Sequence, residues 1–594
     1  MKDRDQTIVK MSTYVSAVPD IFGYQFLSKF TLGILIFVLN RICMALLKST
    51  GRVAISTGDL DFLYKTWQGP LLIVIAIASL FLYTTVDINI QIIYASKLLE
   101  GEKIKITDVF REGLRSIRKL FNIDGLRIVL YLSLIAPIIN LGVSISLTKG
   151  LYVPAFITSV IRSSPLYSAL YFLICAGFLL IGFFNFFVLH GILISDLPGN
   201  KADDNSRAII KANWKDYIKK SVFFSINIIM NLLFVVMLSI MSLIAVKLFG
   251  DEEETLRFIL IMAGLFLCIF TGIFGMLSQT FLIIKITRLY YHYMDMDEKI
   301  DEPAAKRSLL KVLAMTVIIS AMAVLASFYL NARFDYIFIR EYGTGIIAHR
   351  GGGNEAPENT VKGIETAISL GAYGSEIDIQ RTMDGYYVVN HDANFSRLCL
   401  DARKPEEMSL AEIKSLVIND PNHPGDPQKV ATFEEMLEAA KDRIVLFVEL
   451  KGNTADTQMV DDAARIIREH GMEDQCVLIS LKYSVIDYAM SVYPDIDTAY
   501  LTFASFGRTA DLNCDYLGLE DESATGQIIT AIHDQGKKVL VWTPNSESRQ
   551  RHFLVSYADY IITDNVKQAK EILEDIRNRN DYEIIVDWIL QMIF

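Results

Sequence analysis

Seven apolar segments dominate the first 340 residues, at about 30–47, 71–95, 128–147, 167–194, 222–247, 258–283 and 312–330. Roughly 20 apolar residues cross a bilayer as a helix, and in hydrocarbon only a helix or a closed barrel satisfies its own backbone polar groups. The pattern predicts an all-α multi-span transmembrane domain over residues 1–340. The polar start, MKDRDQTIVK, and the late, long apolar run that follows do not read as a cleavable signal peptide. Orientation follows from the connections. Segment 96–127 holds eight Lys and Arg and 196–220 holds six, whereas 148–166 offers only Lys149 and Arg162, and 248–257 carries DEEE with one Arg. Basic connections stay in the cytoplasm, so seven spans leave the N-terminus inside and the C-terminal half outside. The expectation is a multi-pass cell-membrane protein, in contact with membrane lipids, whose second half is extracytoplasmic. Asp87 and His190 fall toward segment ends, where an interfacial position is expected.

Charge divides the chain at the same place. Residues 1–340 carry 34 Lys and Arg against 25 Asp and Glu, net +9; residues 341–594 carry 23 against 43, net −20. The acidic half repels a polyanion, so no nucleic-acid partner is expected. Six scattered cysteines without a CxxC spacing suggest neither zinc nor a disulfide framework.

From Gly345 onward, eight short apolar strands alternate with helical stretches: GIIAH, SEIDI, IVLFVEL, CVLIS, TAYLTF, YLGLE, KVLVW and YIITD. Eight β-α units in some 230 residues match a closed α/β (β/α)8 TIM barrel over 341–575, whose chemistry sits where strand C-termini meet the following loops. Polar residues collect at those ends. His349 and Arg350 follow the first strand, Glu376 and Asp378 share one face of the second, and Glu449 and Lys451 end the third. Trp542 ends the seventh, and an extra strand after TMDG delivers His391 and Asp392. The remaining barrel histidines, His423, His470, His533 and His552, read as structural.

Three converging carboxylates repel one another unless a cation neutralises them. Glu376, Asp378 and Glu449 form a hard oxygen set suited to one divalent cation, Ca2+ or Mg2+. Arg350 offers a fork to phosphate oxygens and Lys451 a point charge. Gly351–Gly353 are expected to let backbone N–H groups approach an anion. His349 and His391 titrate near neutrality and suit proton transfer at attacking and leaving oxygens.

The ordered series HRG with PENT (349–351, 357–360), EID (376–378), TMDG (382–385), HD (391–392), VELKG (448–452), WTPN (542–545) and IITD (561–564) resembles the glycerophosphodiester phosphodiesterases. The likeness covers 345–575, and the fused apolar half is similar to bacterial members with a membrane domain. The resemblance implies hydrolysis of glycerophosphodiesters to glycerol 3-phosphate and an alcohol. His349 and His391 would be the acid/base pair, and Glu376, Asp378 and Glu449 the metal ligands. Arg350 and Lys451 would contact phosphate, and Trp542 would line the alcohol side. Position beside a membrane suggests lipid-derived substrates. Seven spans exceed what an anchor needs, so the alternative is a transporter or lipid-handling protein whose barrel senses such diesters without turnover. The apolar tail 576–594, with Ile585, Trp588, Ile589 and Met592 at helical spacing, predicts a helix on the barrel or on the membrane surface.

Overall fold

Alternation of side chains decides the second half. The structure, a computed structural model, describes residues 11–56, 62–102, 104–120, 161, 164–222, 237, 253–299, 305–339, 343–503 and 505–593. Its eight staves are β1 (Gly345–Ala348), β2 (Gly374–Arg381), β3 (Val445–Leu450), β4 (Cys476–Ser480), β5 (Asp497–Thr502), β6 (Tyr516–Glu520), β7 (Lys538–Trp542) and β8 (Tyr560–Thr563). All eight coincide with the expected strands. Each pairs in parallel with its neighbours, and β1 pairs with both β2 and β8, which closes the barrel.

One parity of side chains fills the interior, including Ile347, Phe447, Ile479, Leu501, Tyr516, Leu540 and Ile562. The other parity, such as Ile346, Ile377, Val448 and Leu517, packs beneath the surrounding helices. Residues two apart therefore share a destination, and polar residues in the interior parity at strand C-termini enter the mouth. A short antiparallel strand, Tyr387–Val389, pairs with the end of β2 through Ile379 and Val389. It turns the chain back so that His391 returns to the mouth.

The first half is helical. Its long elements are α1 (Met11–Lys48), α2 (Gln68–Leu99), α3 (Pro165–Asn185), α4 (Glu253–Tyr293) and α5 (Ala305–Ala332). Among the described residues four helices are long and apolar enough to cross a membrane: Ala17–Lys48, Pro165–Leu193, Glu254–Tyr293 and Leu310–Ala332. They match four of the seven expected segments, and a fifth falls within α2. The segment 128–147 and nearly all of 222–247 lie outside the described residues. Apolar side chains point outward, as a hydrocarbon solvent requires: Phe172 and Leu173 of α3 are 71% and 65% exposed. Asp87 and His190 are both buried within the protein. Asp87 accepts from Gln91 at 2.9 Å, and His190 Nε2 lies 3.2 Å from Thr287 Oγ1.

The tail forms the expected helix, α6 (Asp581–Ile593), and packs against α4 rather than on the barrel. Ile584, Ile585 and Ile589 are buried with Leu260 and Ile261 of α4, and Arg257 pairs with Asp581 at 3.4 Å. Its apolar face finds a better partner in an apolar helix than in the charged outer helices of the barrel. Two compact units result, each discontinuous in sequence. One comprises the N-terminal stretch through Cys43, Leu71–Phe338 and Asp581–Phe594; the other comprises Met44–Pro70 and Ile339–Asn580.

Candidate active site

Glu376 and Asp378 stand two apart on β2, and Asp378 is the register partner of Glu449 on β3. One oxygen from each of the three lies within 4.8 Å of the others, and all three residues are buried. Neighbouring groups hold the set rigid. Asn359 donates Nδ2–H to Asp378 Oδ2 at 2.8 Å and accepts the Asp378 backbone N–H at 3.3 Å. It does so from a left-handed conformation, φ +57°, that asparagine tolerates better than most residues. Lys451 Nζ lies 2.8 Å from Asp378 Oδ1 and 3.1 Å from Glu449 Oε2. Glu376 Oε2 accepts the Arg350 backbone N–H at 2.8 Å, while Oε1 is buried with no hydrogen-bond partner among the described residues.

That orphaned oxygen and the crowding have an electrostatic signature. Burial and the Asp378 charge push the Glu376 carboxyl up to about 8, and burial also raises Glu449. Asp378 moves the other way: burial opposes its charge, but Lys451, His391 and Arg350 outweigh it and hold the carboxyl well below the usual range. A buried oxygen donor set with surplus negative charge and one unpartnered oxygen fits a hard divalent cation.

The two imidazoles are each backed by a carboxylate. His349 Nδ1 lies 2.6 Å from Asp564 Oδ1, and its Nε2 lies 3.9 Å from Glu376 Oε2. Asp564 is fixed in turn by Asn545, whose Nδ2 donates to Oδ2 at 2.5 Å. His391 Nδ1 lies 3.0 Å from Asp392 Oδ1. Arg397 bridges Asp392, at 2.7 Å, to Glu358, at 2.5 and 2.9 Å, and Glu358 also pairs with Arg350 at 3.3 Å. Burial disfavours the His349 imidazolium, but Asp564 and Glu376 prevail and raise its pKa. For His391 burial prevails over Asp392 and lowers it. The pair is thus pushed apart in opposite directions from 6.5.

Of the eight sequence-derived site residues, Glu376 and Asp378 lie within β2, and the other six stand at strand C-termini or in the segments that follow them. The Arg350 guanidinium leans on Glu358, with Nε buried and unpartnered. Trp542 ends β7 in register with Glu520, and its Nε1 also lacks a partner among the described residues. The glycines differ from expectation. Gly351 N–H donates to Glu376 O at 2.6 Å and Gly353 N–H to His349 O at 2.8 Å, so those amides are taken by the chain itself. The physical reason is packing: a Cβ on Gly352 would lie 3.0 Å from Gly363 Cα in the following helix. His470 and His533 bond locally, to Ile466 O and Asp559, both at 2.8 Å.

Two family models divide the chain. That of the membrane domain of glycerophosphoryl diester phosphodiesterase matches residues 16–331, and that of the glycerophosphoryl diester phosphodiesterase family matches 349–568. The chain belongs to this phosphodiesterase family. YhdW of Bacillus subtilis (strain 168) is 25% identical over 227 residues, 37% of this chain and 93% of that protein. The glycerophosphodiester phosphodiesterase of Bacillus altitudinis is 26% identical over 247 residues, 39% of this chain and all of its own length. The crystal structure of a glycerophosphodiester phosphodiesterase from Parabacteroides distasonis is 24% identical, with a TM-score of 0.35 over 39% of this chain and 98% of its own. The present phosphodiesterase is thus an enzyme of the family joined to the family's own membrane domain.

Sequence reasoning assigned no role to Asp564, Asn545, Asn359, Glu358 or Arg397. Four of these lie inside motifs already visible as IITD, WTPN and PENT; what was missing was the partner each one faces.

Proposed function

We propose that this phosphodiesterase hydrolyses glycerophosphodiesters to glycerol 3-phosphate and an alcohol, using His349 and His391 for proton transfer beside a divalent cation. The observation that carries the reading is one cluster: three carboxylates with oxygens within 4.8 Å, flanked by two imidazoles each set by its own aspartate. Glu376, Asp378 and Glu449 would hold Ca2+ or Mg2+. When bound, the ion neutralises charge on a phosphoryl oxygen and orients the diester.

The residues of the chain account for the rest. Opposite pKa shifts favour the neutral form of His391 and the charged form of His349. His391 accepts a proton from the attacking water, and His349 delivers one to the departing alkoxide. The net change adds water across one phosphorus–oxygen ester bond. Asp564 and Asp392 orient the two rings. Arg350 and Lys451 face the phosphate, and Trp542 walls the alcohol side.

The domain organisation that supports this chemistry is a membrane-inserted helical domain, 1–340, a catalytic barrel, 341–575, and an apolar C-terminal helix, 576–594. Loop charge supports a multi-pass protein with its barrel outside the cytoplasm. Purified full-length protein should release glycerol 3-phosphate from glycerophosphocholine with Ca2+ or Mg2+ present. Release from no diester tested, or undiminished release by His349→Ala, would reject the reading.

A further inference from the structure

Asp87 has no part in the chemistry above, yet it is a carboxylate buried inside an apolar helical domain. It belongs to a polar run on α2, Thr85, Asp87, Asn89 and Gln91, each 6% exposed or less. Ionisable groups placed in this way are costly, and they mark ion or substrate sites. No cation meets its charge directly. Among the described residues Asp87 forms no ion pair, and Lys29 of α1, which bears on the carboxylate, is exposed.

Hydrogen bonds carry the cluster across three helices. Gln91 Nε2 donates to Asp87 Oδ2 at 2.9 Å, and Thr280 Oγ1 of α4 donates to Gln91 Oε1 at 3.4 Å. Gln25 Nε2 of α1 donates to Thr280 Oγ1 at 3.3 Å, and the Tyr24 hydroxyl lies 2.7 Å from the same atom. Polar side chains of this kind join helices in lipid, and joining needs each acceptor matched to a donor. Here three oxygens are left over. Gln25 Oε1, Ser28 Oγ and Asp87 Oδ1 are buried with no hydrogen-bond partner among the described residues. Gln25 and Ser28 are fully buried and, three positions apart, share one face of α1. The Ser28 and Gln279 side chains lie close enough to the Asp87 carboxylate to act on its charge. Thr85 and Thr287 direct their hydroxyls to the carbonyl one turn back, Phe81 O at 2.5 Å and Ile283 O at 2.8 Å. Ser28 does not.

We propose that Asp87, with Gln25 Oε1 and Ser28 Oγ, binds a sodium ion that clamps α1 to α2 inside the membrane domain. Buried oxygens in excess of their donors, one of them charged, describe a cation site better than a packing contact. Carboxylate, amide and hydroxyl oxygens are hard donors that suit a hard ion. The single carboxylate sets the valence. One positive charge neutralises it, whereas a divalent ion would leave net charge in a medium that penalises it heavily. A proton would serve Asp87 Oδ1 alone and leave the other two acceptors orphaned. The helical domain is then an ion-binding module as well as an anchor. This inference does not depend on the phosphodiesterase reading.

The test uses full-length protein in lipid nanodiscs, cleared of divalent ions with a chelator and held at constant ionic strength with N-methyl-D-glucamine. Radioactive sodium should bind saturably, and sodium should raise the thermal midpoint of the helical domain. Asp87→Asn keeps the size and removes the charge. It should weaken sodium binding about tenfold or more and erase the thermal effect. Ser28→Ala removes one oxygen with little change of volume and should weaken binding in the same sense; it decides the matter if the Asp87 variant does not fold. Glu376→Gln, in the barrel, should leave sodium binding unchanged. No saturable binding by the parent protein, as when Asp87 carries only a proton, would overturn the inference. So would a sodium affinity unchanged by Asp87→Asn or by Ser28→Ala, or one lost with Glu376→Gln instead.

Discussion

His349 Nδ1 sits 2.6 Å from Asp564 Oδ1, across the seam where the first and last staves of the barrel meet. The contact ties barrel closure to the protonation of a proposed catalytic group. It raises the imidazole pKa above 6.5, while burial lowers that of His391 below it. The expected profile of kcat/KM against pH is a bell. Activity falls on the acid side as His391 gains a proton, below 6.5, and on the alkaline side as His349 loses one, above 6.5. Asp564→Asn removes the group that sustains the His349 charge, so the alkaline limb should move to lower pH while the acid limb stays. A profile whose alkaline limb ignores this substitution contradicts the assignment.

Cation binding should be linked to proton release. With its carboxyl pushed up to about 8, Glu376 holds a proton at neutral pH when no ion is present, and an ion must displace it. Affinity for Ca2+ or Mg2+ should therefore rise with pH between about 6 and 9, flattening once Glu376 ionises. Calorimetry in buffers of different ionisation enthalpy measures the released protons directly. Glu376→Gln should weaken binding and flatten its pH dependence, and chelation should stop turnover reversibly.

The run His391–Asp392–Arg397–Glu358–Arg350 couples one proposed acid/base residue to the proposed phosphate clamp through successive ion pairs. Arg397→Ala leaves Asp392 and Glu358 without their shared partner. Misplacement of this kind should cost about 10- to 100-fold in kcat/KM. Binding of Ca2+ or Mg2+, whose proposed ligands lie elsewhere, should change little.

Phe447 fills the barrel interior and is fully buried. Phe447→Ala removes a ring from a closed cylinder that cannot collapse around the void, and should cost about 3–5 kcal/mol. A lower thermal midpoint for the barrel transition of the full-length protein in detergent is the measurement.

Much of this architecture was legible because it is local. Glu376 and Asp378 differ by two positions on a strand, so a common direction follows from the pleat alone. The same parity argument places Glu449 and Trp542 at the mouth. Apolar length marked the helices. Non-local pairing left no such trace. Ala54 and Gly507 stand about 450 residues apart, and neither neighbourhood has a period that names the other. Asp564 was visible as the end of a strand, but its partner follows only from the closure of β8 on β1. The glycines after His349 fit an anion-binding loop and a tight helix contact equally well by sequence, and only the packed helix separates the two.

The placement of α6 has a topological consequence. The polypeptide enters the barrel from α5 and, on leaving it, returns to pack against α4. A protease that cuts once, on either side of the barrel, leaves the enzyme still moored by the other end. Detaching the barrel would take two cleavages, so this fold resists release in a way that a hydrolase hung from a single helix does not.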